Sequence, residues 1–434
     1  MNKLKALLFR SDFTKNVTVM MSGNGLAIIF PFLMAPLISR IFTPHDFAGF
    51  ELFVKIAALT AVISSLRFEI AILLPRKAEE AEALFKLSIK LLLLVTVLSA
   101  IFVFPFREEI GELLSNSDLA YLLWFLPIAV FFIGGQQVLS QYIIRLRRFK
   151  EIASNKVLSA IVNNGSKYLL GLSAPTSGSL VIGQILGHAI PTIAFLRIKQ
   201  VRNVLATTFK SEYSSRYLFK KYRDFPVVNS AHAFFDEGQK ALLLFLISAY
   251  YGEFILGLFA FAWRYLRVPL QVFGYSLSQV LNEKWARDLN NGIVLKNALR
   301  RTTIGLFAIA IVPFSILFFF GEPIFTFVFG KDWTIAGTYA AYMAPWLMVH
   351  FVISPVSFLP VLYHRQKTNF LISVIGNLII LAAIAVMSIL DYDFTEVLIV
   401  LVGLNTLLMI FILIWYFSLS RKMRPDLGDE SEPE

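Results

Sequence analysis

The sequence of 434 residues contains no cysteine, which excludes disulfide bonds, thiolate nucleophiles and thiolate-bound metals. Charged residues make up only 16% of the chain, against about 25% in ordinary soluble domains. The five histidines are scattered, and neither a Walker A loop nor a glycine-rich dinucleotide motif occurs. We therefore expect no catalytic residue, no metal and no cofactor, and no direct use of ATP.

Apolar residues dominate what is present, at 57% of the chain with 42 phenylalanines. Long apolar runs predict an all-α polytopic membrane protein with twelve transmembrane helices. The predicted spans, numbered in chain order, cover residues 16–39, 50–74, 85–106, 119–144, 153–172, 178–197, 227–249, 254–280, 300–320, 335–362, 369–389 and 396–418.

The connections between these spans alternate in charge. Basic connections such as Arg76–Lys77, Arg145–Lys156 and Arg197–Arg223 alternate with connections that lean acidic. The positive-inside rule places both termini in the cytoplasm. Loop topology therefore explains the formal charge of +11 better than binding to nucleic acid does.

The long basic connection divides the chain into two halves of six spans, as expected for two parallel repeats. The predicted organisation is an N-lobe over 1–198, a cytoplasmic linker over 199–226, a C-lobe over 227–420 and an acidic disordered tail over 421–434. Met1–Phe13 has the pattern of an amphipathic surface helix, and Asn282–Leu299 that of an interfacial helix.

Charged residues inside spans 7 and 8 are the strongest functional indication. Span 7 carries Asp236, Glu237 and Lys240, and span 8 carries Arg264 and Arg267. A charge at mid-membrane costs about 2.5–3.5 kcal/mol, so these side chains must line a hydrated cavity or pair with each other. Asp236 and Lys240 could form a purely structural i,i+4 pair; alternatively, one carboxylate takes up a cation during transport.

The two arginines favour an anionic ligand, because a guanidinium fork binds two phosphate oxygens at once. The alternative is permanent compensation by a carboxylate such as Glu237. In the first half, Asn155, Ser159, Asn163 and Lys167 form one stripe on span 5 that could bind sugar hydroxyls or join helices.

Span 2 carries Lys55, Arg67 and Glu69, and a helical wheel places Lys55 and Glu69 on one face. Arg67 could snorkel or pair structurally near the cytoplasmic end. Glutamines on span 4, and Gln184 with His188 on span 6, are more typical of helix–helix contacts than of a site. Six embedded cations against three acids predict a net cationic interior.

One stretch resembles a known family. Pro36-Leu37-Ile38-Ser39-Arg40, then Thr43-Pro44-His45-Asp46-Phe47-Ala48-Gly49 and Leu66-Arg67-Phe68-Glu69-Ile70-Ala71-Ile72-Leu73-Leu74-Pro75 are similar to the first two helices of Wzx-type polysaccharide flippases. Ala48 and Phe68 depart from the usual glycine and tyrosine. Only Arg67 and Glu69 fall in a recognised motif, and beyond residue 75 the resemblance is one of span number and loop pattern.

This resemblance implies the fold of the multidrug/oligosaccharidyl-lipid/polysaccharide exporter superfamily, with two six-helix lobes forming a V around a central cavity. It implies a bacterial inner-membrane flippase, not an enzyme, that moves undecaprenyl-pyrophosphate-linked oligosaccharide repeats for O-antigen, lipopolysaccharide or capsule. Coupling to a proton or sodium gradient is expected. The expected partners are the lipid-linked oligosaccharide, membrane lipids and the polymerase and chain-length machinery. The transporter itself is expected to be a monomer.

Combined with the charge pattern, the predicted substrate-binding residues are Arg264, Arg267, Lys240, Lys55, Lys167, Asn163 and Arg67. The predicted ion-coupling residues are Asp236, Glu237 and Glu69. A multidrug or cation antiporter shares the fold, but its substrates would favour an acidic cavity. A lipid II flippase is a nearer alternative, although no helices are visible beyond the twelve. A membrane glycosyltransferase would need a carboxylate pair or a sizeable external loop, and neither is visible.

Overall fold

The computed structural model describes residues 12–206 and 213–421, with side chains from residue 25 onward except 271, 272, 275 and 276. Nearly all of these described residues are helical, and they contain no strand. The predicted surface helix Met1–Phe13 and acidic tail 421–434 lie almost entirely outside the described residues.

The chain divides into two compact units, Met1–Ala260 and Phe261–Glu434. The helices of the first unit are α1 (Asp12–Ser39), α2 (Pro44–Val62), α3 (Phe68–Ala71), α4 (Ala78–Leu113), α5 (Leu119–Leu122), α6 (Leu126–Arg145), α7 (Phe149–Ser173), α8 (Ser177–Leu196), α9 (Lys199–Ala206) and α10 (Ser215–Lys221). A short π-helix, Phe225–Asn229, leads into α11 (Ser230–Asn290), which crosses the boundary between the units.

The second unit continues with α12 (Lys296–Phe329), α13 (Thr334–Ile353), α14 (Leu359–Leu362), α15 (Gln366–Ile389) and α16 (Phe394–Ser420). Within the described residues, eight helical segments are long and apolar enough to cross a membrane. The segment Phe225–Leu270 counts once among them, although it covers predicted span 7 and the first part of predicted span 8. The chain is therefore an all-helical, multi-pass membrane protein.

The second predicted span, 50–74, is not one continuous helix. α2 ends at Val62 and α3 starts at Phe68, and the turn between them holds Leu66 (φ 49°) and Arg67 (φ 59°) in the left-handed region. The prediction that Lys55 and Glu69 share one helical face is wrong, because this turn interrupts the wheel.

Arg145, at the end of α6, secures the chain that follows α3. Its guanidinium donates to the backbone carbonyls of Ile72 (3.1 Å), Leu73 (3.4 Å), Pro75 (2.8 Å) and Lys77 (3.3 Å). Carbonyls at a helix end have no intrahelical partner, and hydrocarbon offers them no hydrogen-bond donor. Arg145 supplies donors to several such carbonyls at once.

A capping box starts α2: Asp46 Oδ2 accepts from the Thr43 backbone N–H at 2.8 Å, and Thr43 Oγ1 accepts from the Asp46 backbone N–H at 3.4 Å. The start of α2 lies against α11, because a Cβ atom on Gly257 would collide with the Pro44 carbonyl. α11 itself changes direction at Gly252, whose φ of 78° and ψ of 172° are non-helical. Glycine adopts this conformation without a Cβ penalty.

The linker is helical and packs onto the first unit. Val201, Val204, Leu218 and Tyr222 are buried in one apolar cluster with residues from α3, α4 and α6. Lys221 Nζ lies 2.5 Å from Glu80 Oε1, and Tyr222 Oη donates to the same oxygen at 3.1 Å. The linker helices are therefore part of the folded unit.

The predicted interfacial helix Asn282–Leu299 takes a different form. α11 runs through Asn290, a turn follows, and α12 begins at Lys296. Trp285, Leu289, Leu295 and Leu299 are buried in the core of the second unit. The prediction of one helix over these residues was wrong, because a turn separates α11 from α12. Apolar residues at helical spacing fit a protein core as well as a membrane surface.

Candidate functional site

Lys240 on α11 contacts two carboxylates of its own helix. Its Nζ lies 2.7 Å from Asp236 Oδ2 and 2.8 Å from Glu237 Oε1. The spacings of three and four residues bring these side chains onto one helical stripe. The paired arrangement considered from the sequence is thus present, and it includes both acids.

This triad is not sealed inside the protein. The Asp236 side chain is 57% exposed and the Lys240 side chain 38% exposed. Hydrocarbon would not solvate these charges, so their exposed surface requires water or polar ligand groups within the membrane. An ion triad that borders a hydrated space can exchange partners, unlike a fully buried one.

Lys55 on α2 lies one helical turn before Leu59, and Leu59 approaches the backbone of α11 at Gly238. Residues four apart share a helical face, so Lys55 sits on the side of α2 that meets the triad helix. Lys55 is half-buried. It therefore extends the polar stripe of α11 toward α2.

The motif residues Arg67 and Glu69 form a local pair on either side of the start of α3. Arg67 Nη1 lies 3.4 Å from Glu69 Oε1, and Ser65 donates its hydroxyl to Glu69 Oε2. Glu69 is only 2% exposed. In this structure the glutamate is occupied by its neighbours along the chain and holds the left-handed turn together.

Lys167 and Asn163 on α7 both donate to Gln184 Oε1 on α8, at 3.0 and 2.9 Å. Lys167 is 5% exposed, and its ammonium also lies 4.3 Å from the centre of the Phe50 ring. These two predicted substrate ligands are therefore brought together, but they are held between helices.

A chain of hydrogen bonds continues from Gln184 to residues whose role the sequence did not distinguish from helix contacts. Gln184 Nε2 lies 3.2 Å from His188 Nε2, and His188 Nδ1 lies 2.6 Å from Gln136 Oε1. Gln136 then donates to Asn155 Oδ1 at 3.3 Å, and Asn155 donates to the Pro191 carbonyl at 2.7 Å. Polar residues on three predicted spans thus form one connected network.

Two glycines bring α7 and α8 close enough to form this network. A Cβ on Gly183 would lie 2.6 Å from Lys167 Cγ, and one on Gly187 would lie 2.5 Å from Asn163 Cβ. Small residues four apart allow such close packing of membrane helices. The spacing Gly183–Gly187 was visible in the sequence and could have indicated this contact.

In the second unit, Arg267 is placed against aromatic rings. Its guanidinium carbon lies 4.9 Å from the centroid of the Trp263 ring, and Trp263 stacks on Trp346 at 4.5 Å. Arg267 also acts electrostatically on His350 of α13. Arg264, one turn earlier, is half-buried. A guanidinium can stack on an indole and donate hydrogen bonds from its N–H groups at the same time.

The predicted residues therefore form separate groups. The first unit holds the Lys240 triad with Lys55 beside it, the Arg67–Glu69 pair, and the Lys167 network. The second unit holds Arg264 and Arg267. Chemically, these groups can bind an anion, hydrogen-bond hydroxyl-rich molecules and exchange protons.

Comparison with solved structures identifies the fold. A lipid II flippase, MurJ, in an inward closed conformation superposes with a TM-score of 0.71 at 16% identity, covering 93% of this chain and 90% of that chain. An inward-facing multidrug transporter of the MOP superfamily gives a TM-score of 0.60 at 14% identity, covering 90% of this chain and 94% of that chain. The fold is that of this exporter superfamily.

The chain belongs to the family described as "Polysaccharide biosynthesis protein", which matches residues 37–337. The succinoglycan biosynthesis transport protein ExoT of Rhizobium meliloti (strain 1021) is 22% identical over 316 residues, or 70% of this chain. The matched region spans 60% of that relative's length. The resemblance to polysaccharide flippases of this superfamily is therefore confirmed.

Proposed function

We propose that this protein is a flippase that moves undecaprenyl-pyrophosphate-linked oligosaccharide repeat units across the bacterial inner membrane. It works by ion-coupled alternating access, with both termini in the cytoplasm and no enzymatic step. The family match and the polysaccharide-transport relative support the substrate class. O-antigen and capsule repeats are both substrates of this kind.

The observation that carries the proposal is the pair of arginines at a membrane-embedded stretch of α11. Arg267 is stacked on Trp263, and Arg264 lies one turn away on the same face. We assign both guanidiniums to the diphosphate of the substrate, because two planar forks match its oxygen atoms. Their cost in the membrane is offset when the anion binds.

The remaining predicted ligands take the sugar end and the coupling ion. Lys55 and Lys240 meet acidic or hydroxyl groups of the glycan, while Lys167, Asn163 and Arg67 contribute after leaving their present partners. Asp236, Glu237 or Glu69 takes up the coupling proton or sodium ion. The polyprenyl tail stays in the lipid during transport. The transporter acts as a monomer, and the polymerase and chain-length proteins receive the flipped repeat.

The test is a reconstituted assay with a fluorescent polyprenyl-pyrophosphate oligosaccharide in proteoliposomes. Losing one hydrogen bond to a charged group costs about 1.5–3 kcal/mol, so Arg264→Ala and Arg267→Ala should each reduce transport about 10- to 100-fold. Arg300→Ala and Arg301→Ala, at exposed positions of α12, are matched controls and should retain activity.

The same vesicles separate the competing functions. Lipid II and a lipophilic cationic drug are offered in parallel with the oligosaccharide. Transport of the cation with no movement of the lipid-linked sugar would make the protein a multidrug antiporter and contradict the proposal. Preferential movement of lipid II would assign it to that substrate instead.

A further inference from the structure

In the hydrogen-bond network around His188, the groups at the two ends determine which groups donate and which accept. Lys167 carries an ammonium group, which can only donate, and its Nζ lies 3.0 Å from Gln184 Oε1. At the other end the Pro191 carbonyl can only accept, at 2.7 Å from Asn155 Nδ2. These two fixed ends leave one consistent assignment for every amide between them.

Starting from Lys167, Gln184 must present its oxygen to the ammonium and its NH₂ group to His188 Nε2. His188 Nε2 therefore accepts. Starting from Pro191, Asn155 presents its oxygen to Gln136, so Gln136 presents its NH₂ to Asn155 and its own oxygen to His188 Nδ1. Both directions agree on a neutral His188 that carries its proton on Nδ1.

Protonation of His188 is incompatible with this arrangement. An imidazolium has N–H groups on both nitrogens, so Nε2–H would face the NH₂ group of Gln184 across 3.2 Å. Rotating the Gln184 amide by half a turn removes that conflict. The same rotation turns its NH₂ group toward the Lys167 ammonium, which can only donate, and toward the NH₂ group of Asn163, so both lose Gln184 as an acceptor.

The rearrangement must occur in the side chains rather than by separation of the helices. Gly183 and Gly187 bring the backbones of α7 and α8 into direct contact at this level. The charged groups on the packed helices are Lys150, Glu151, Lys156 and Lys167 on α7, Arg145 at the end of α6, and Asp46, the buried Glu51 and the half-buried Lys55 on α2. Lys167 opposes a second positive charge on His188, which also favours its departure from Gln184.

We propose that His188 is a proton-binding site, and that its protonation transfers Lys167 and Asn163 from Gln184 to oxygen-rich groups of a ligand. Hydroxyl groups of a sugar and phosphate oxygens share the required chemistry, since both accept hydrogen bonds. Deprotonation restores the Gln184 contacts and expels the ligand from this position. The use of this switch in transport rests on the proposed function, whereas the switch itself rests on the network.

The first test needs no substrate, and the protein that is titrated keeps the intact network. Full-length protein with ¹⁵N-labelled histidine is placed in lipid nanodiscs, and the His188 signal is assigned by its loss in His188→Gln. At pH 8 the ring should be neutral with the proton on Nδ1, and it should convert to imidazolium on acidification. A proton on Nε2 at pH 8, or a ring that stays neutral to pH 4, would overturn the proposal.

The second test asks whether Gln184 transmits the effect. Lys167→Met should raise the pH at which His188 becomes protonated by about one unit, because Gln184 then rotates at less cost. Lys156→Met, at an exposed position of the same helix, should leave it unchanged. In a Gln184→Met background the Lys167→Met shift should largely disappear.

A shift that persists at full size in the Gln184→Met background would show direct charge repulsion and refute the switch. Because these measurements detect the ring itself, they stand even if vesicle assays assign a different substrate. A vesicle result with the oligosaccharide then tests the proposed function independently.

Discussion

Glu253 contacts two residues that each lie more than a hundred positions before it in the chain. Its Oε1 lies 2.9 Å from His45 Nδ1, and its Oε2 accepts from Asn116 Nδ2 at 2.9 Å. Beside it, Ser248 donates to the Leu114 carbonyl. The start of α2, the end of α4 and the bend of α11 are thereby tied together at the ends predicted to be non-cytoplasmic.

Glu253→Ala should loosen this junction, because one substitution removes the partner of both His45 and Asn116. The natural absence of cysteine allows a single reporter, Leu114→Cys, at a position that is 6% exposed. Maleimide labelling of this cysteine in nanodiscs should become several-fold faster. Glu112→Ala, an exposed acid at the same helix end, is the control, and equal labelling rates in both variants would contradict the prediction.

Gly187→Ala should destabilise the first unit, because the added methyl would lie 2.5 Å from Asn163 Cβ. Overpacking of this kind costs about 1–3 kcal/mol, measured as a lower unfolding temperature of the purified protein. Gly165→Ala is the matched control on α7, since nothing lies within 4 Å of its new methyl. Equal unfolding temperatures for the two variants would mean that the helices are less closely packed than described.

Glu80→Gln should release the linker helix α10. The hydrogen bond to Glu80 raises the pKa of Lys221, and burial raises the pKa of Tyr222, with Glu80 adding to it. For both groups the raised pKa means that the contact stabilises the fold below their ordinary values of about 10. This contribution is lost only as the pH rises through the shifted values.

Hydrogen exchange at neutral pH should therefore be faster across Ser215–Lys221 in Glu80→Gln than in the wild type. Glu79→Gln, its exposed neighbour, should exchange like the wild type. The difference between Glu80→Gln and the wild type should persist from pH 6 to pH 9. Its disappearance below pH 9 would show that these protonation states do not hold the linker.

Lys240→Met should harm the protein more than Asp236→Asn. Without Lys240, both Asp236 and Glu237 lose the cation that lies within 2.8 Å of each. Removal of one partner of an embedded ion pair is far more costly than removal of both. Asp236→Asn keeps the Lys240–Glu237 contact, so its yield of folded protein should stay near wild type.

The triple replacement Asp236→Asn, Glu237→Gln and Lys240→Met separates folding from function. It should restore the yield lost in Lys240→Met, because no charge remains without its partner. Under the proposed function, it should still fail to transport. Wild-type transport by this folded variant would remove the triad from the mechanism.

Much of the fold was predictable because lipid imposes a strong pattern on sequence. The apolar runs fell on described helices, and the spacing of Asp236 and Lys240 correctly anticipated their contact. The contact of Lys240 with Glu237 was not predicted. The turn at Leu66 and Arg67 escaped notice, since hydropathy is nearly continuous through it and backbone dihedrals leave no hydropathy pattern. Helical periodicity also placed Trp285 on an apolar helix face, but periodicity does not show whether such a face packs against lipid or against protein.

The network around His188 was not predictable as a unit. Gln136, Gln184 and His188 are each uncharged polar residues that commonly join membrane helices. Their connection depends on the close approach of α7 and α8, which tertiary packing decides. Only the Gly183–Gly187 spacing indicated that the two helices come so near.

Arg145 belongs to one of the basic connections that the positive-inside rule predicts to lie on the cytoplasmic side. In the folded protein its guanidinium lies among four backbone carbonyls. Under that prediction, the charge of Arg145 orients the chain during insertion, and its guanidinium later stabilises the folded protein. Insertion depends only on its charge, whereas the final contact depends on the breadth of the guanidinium. A lysine at this position would keep the charge that orients the newly made chain. It would lose much of the hydrogen bonding to the four carbonyls in the folded protein.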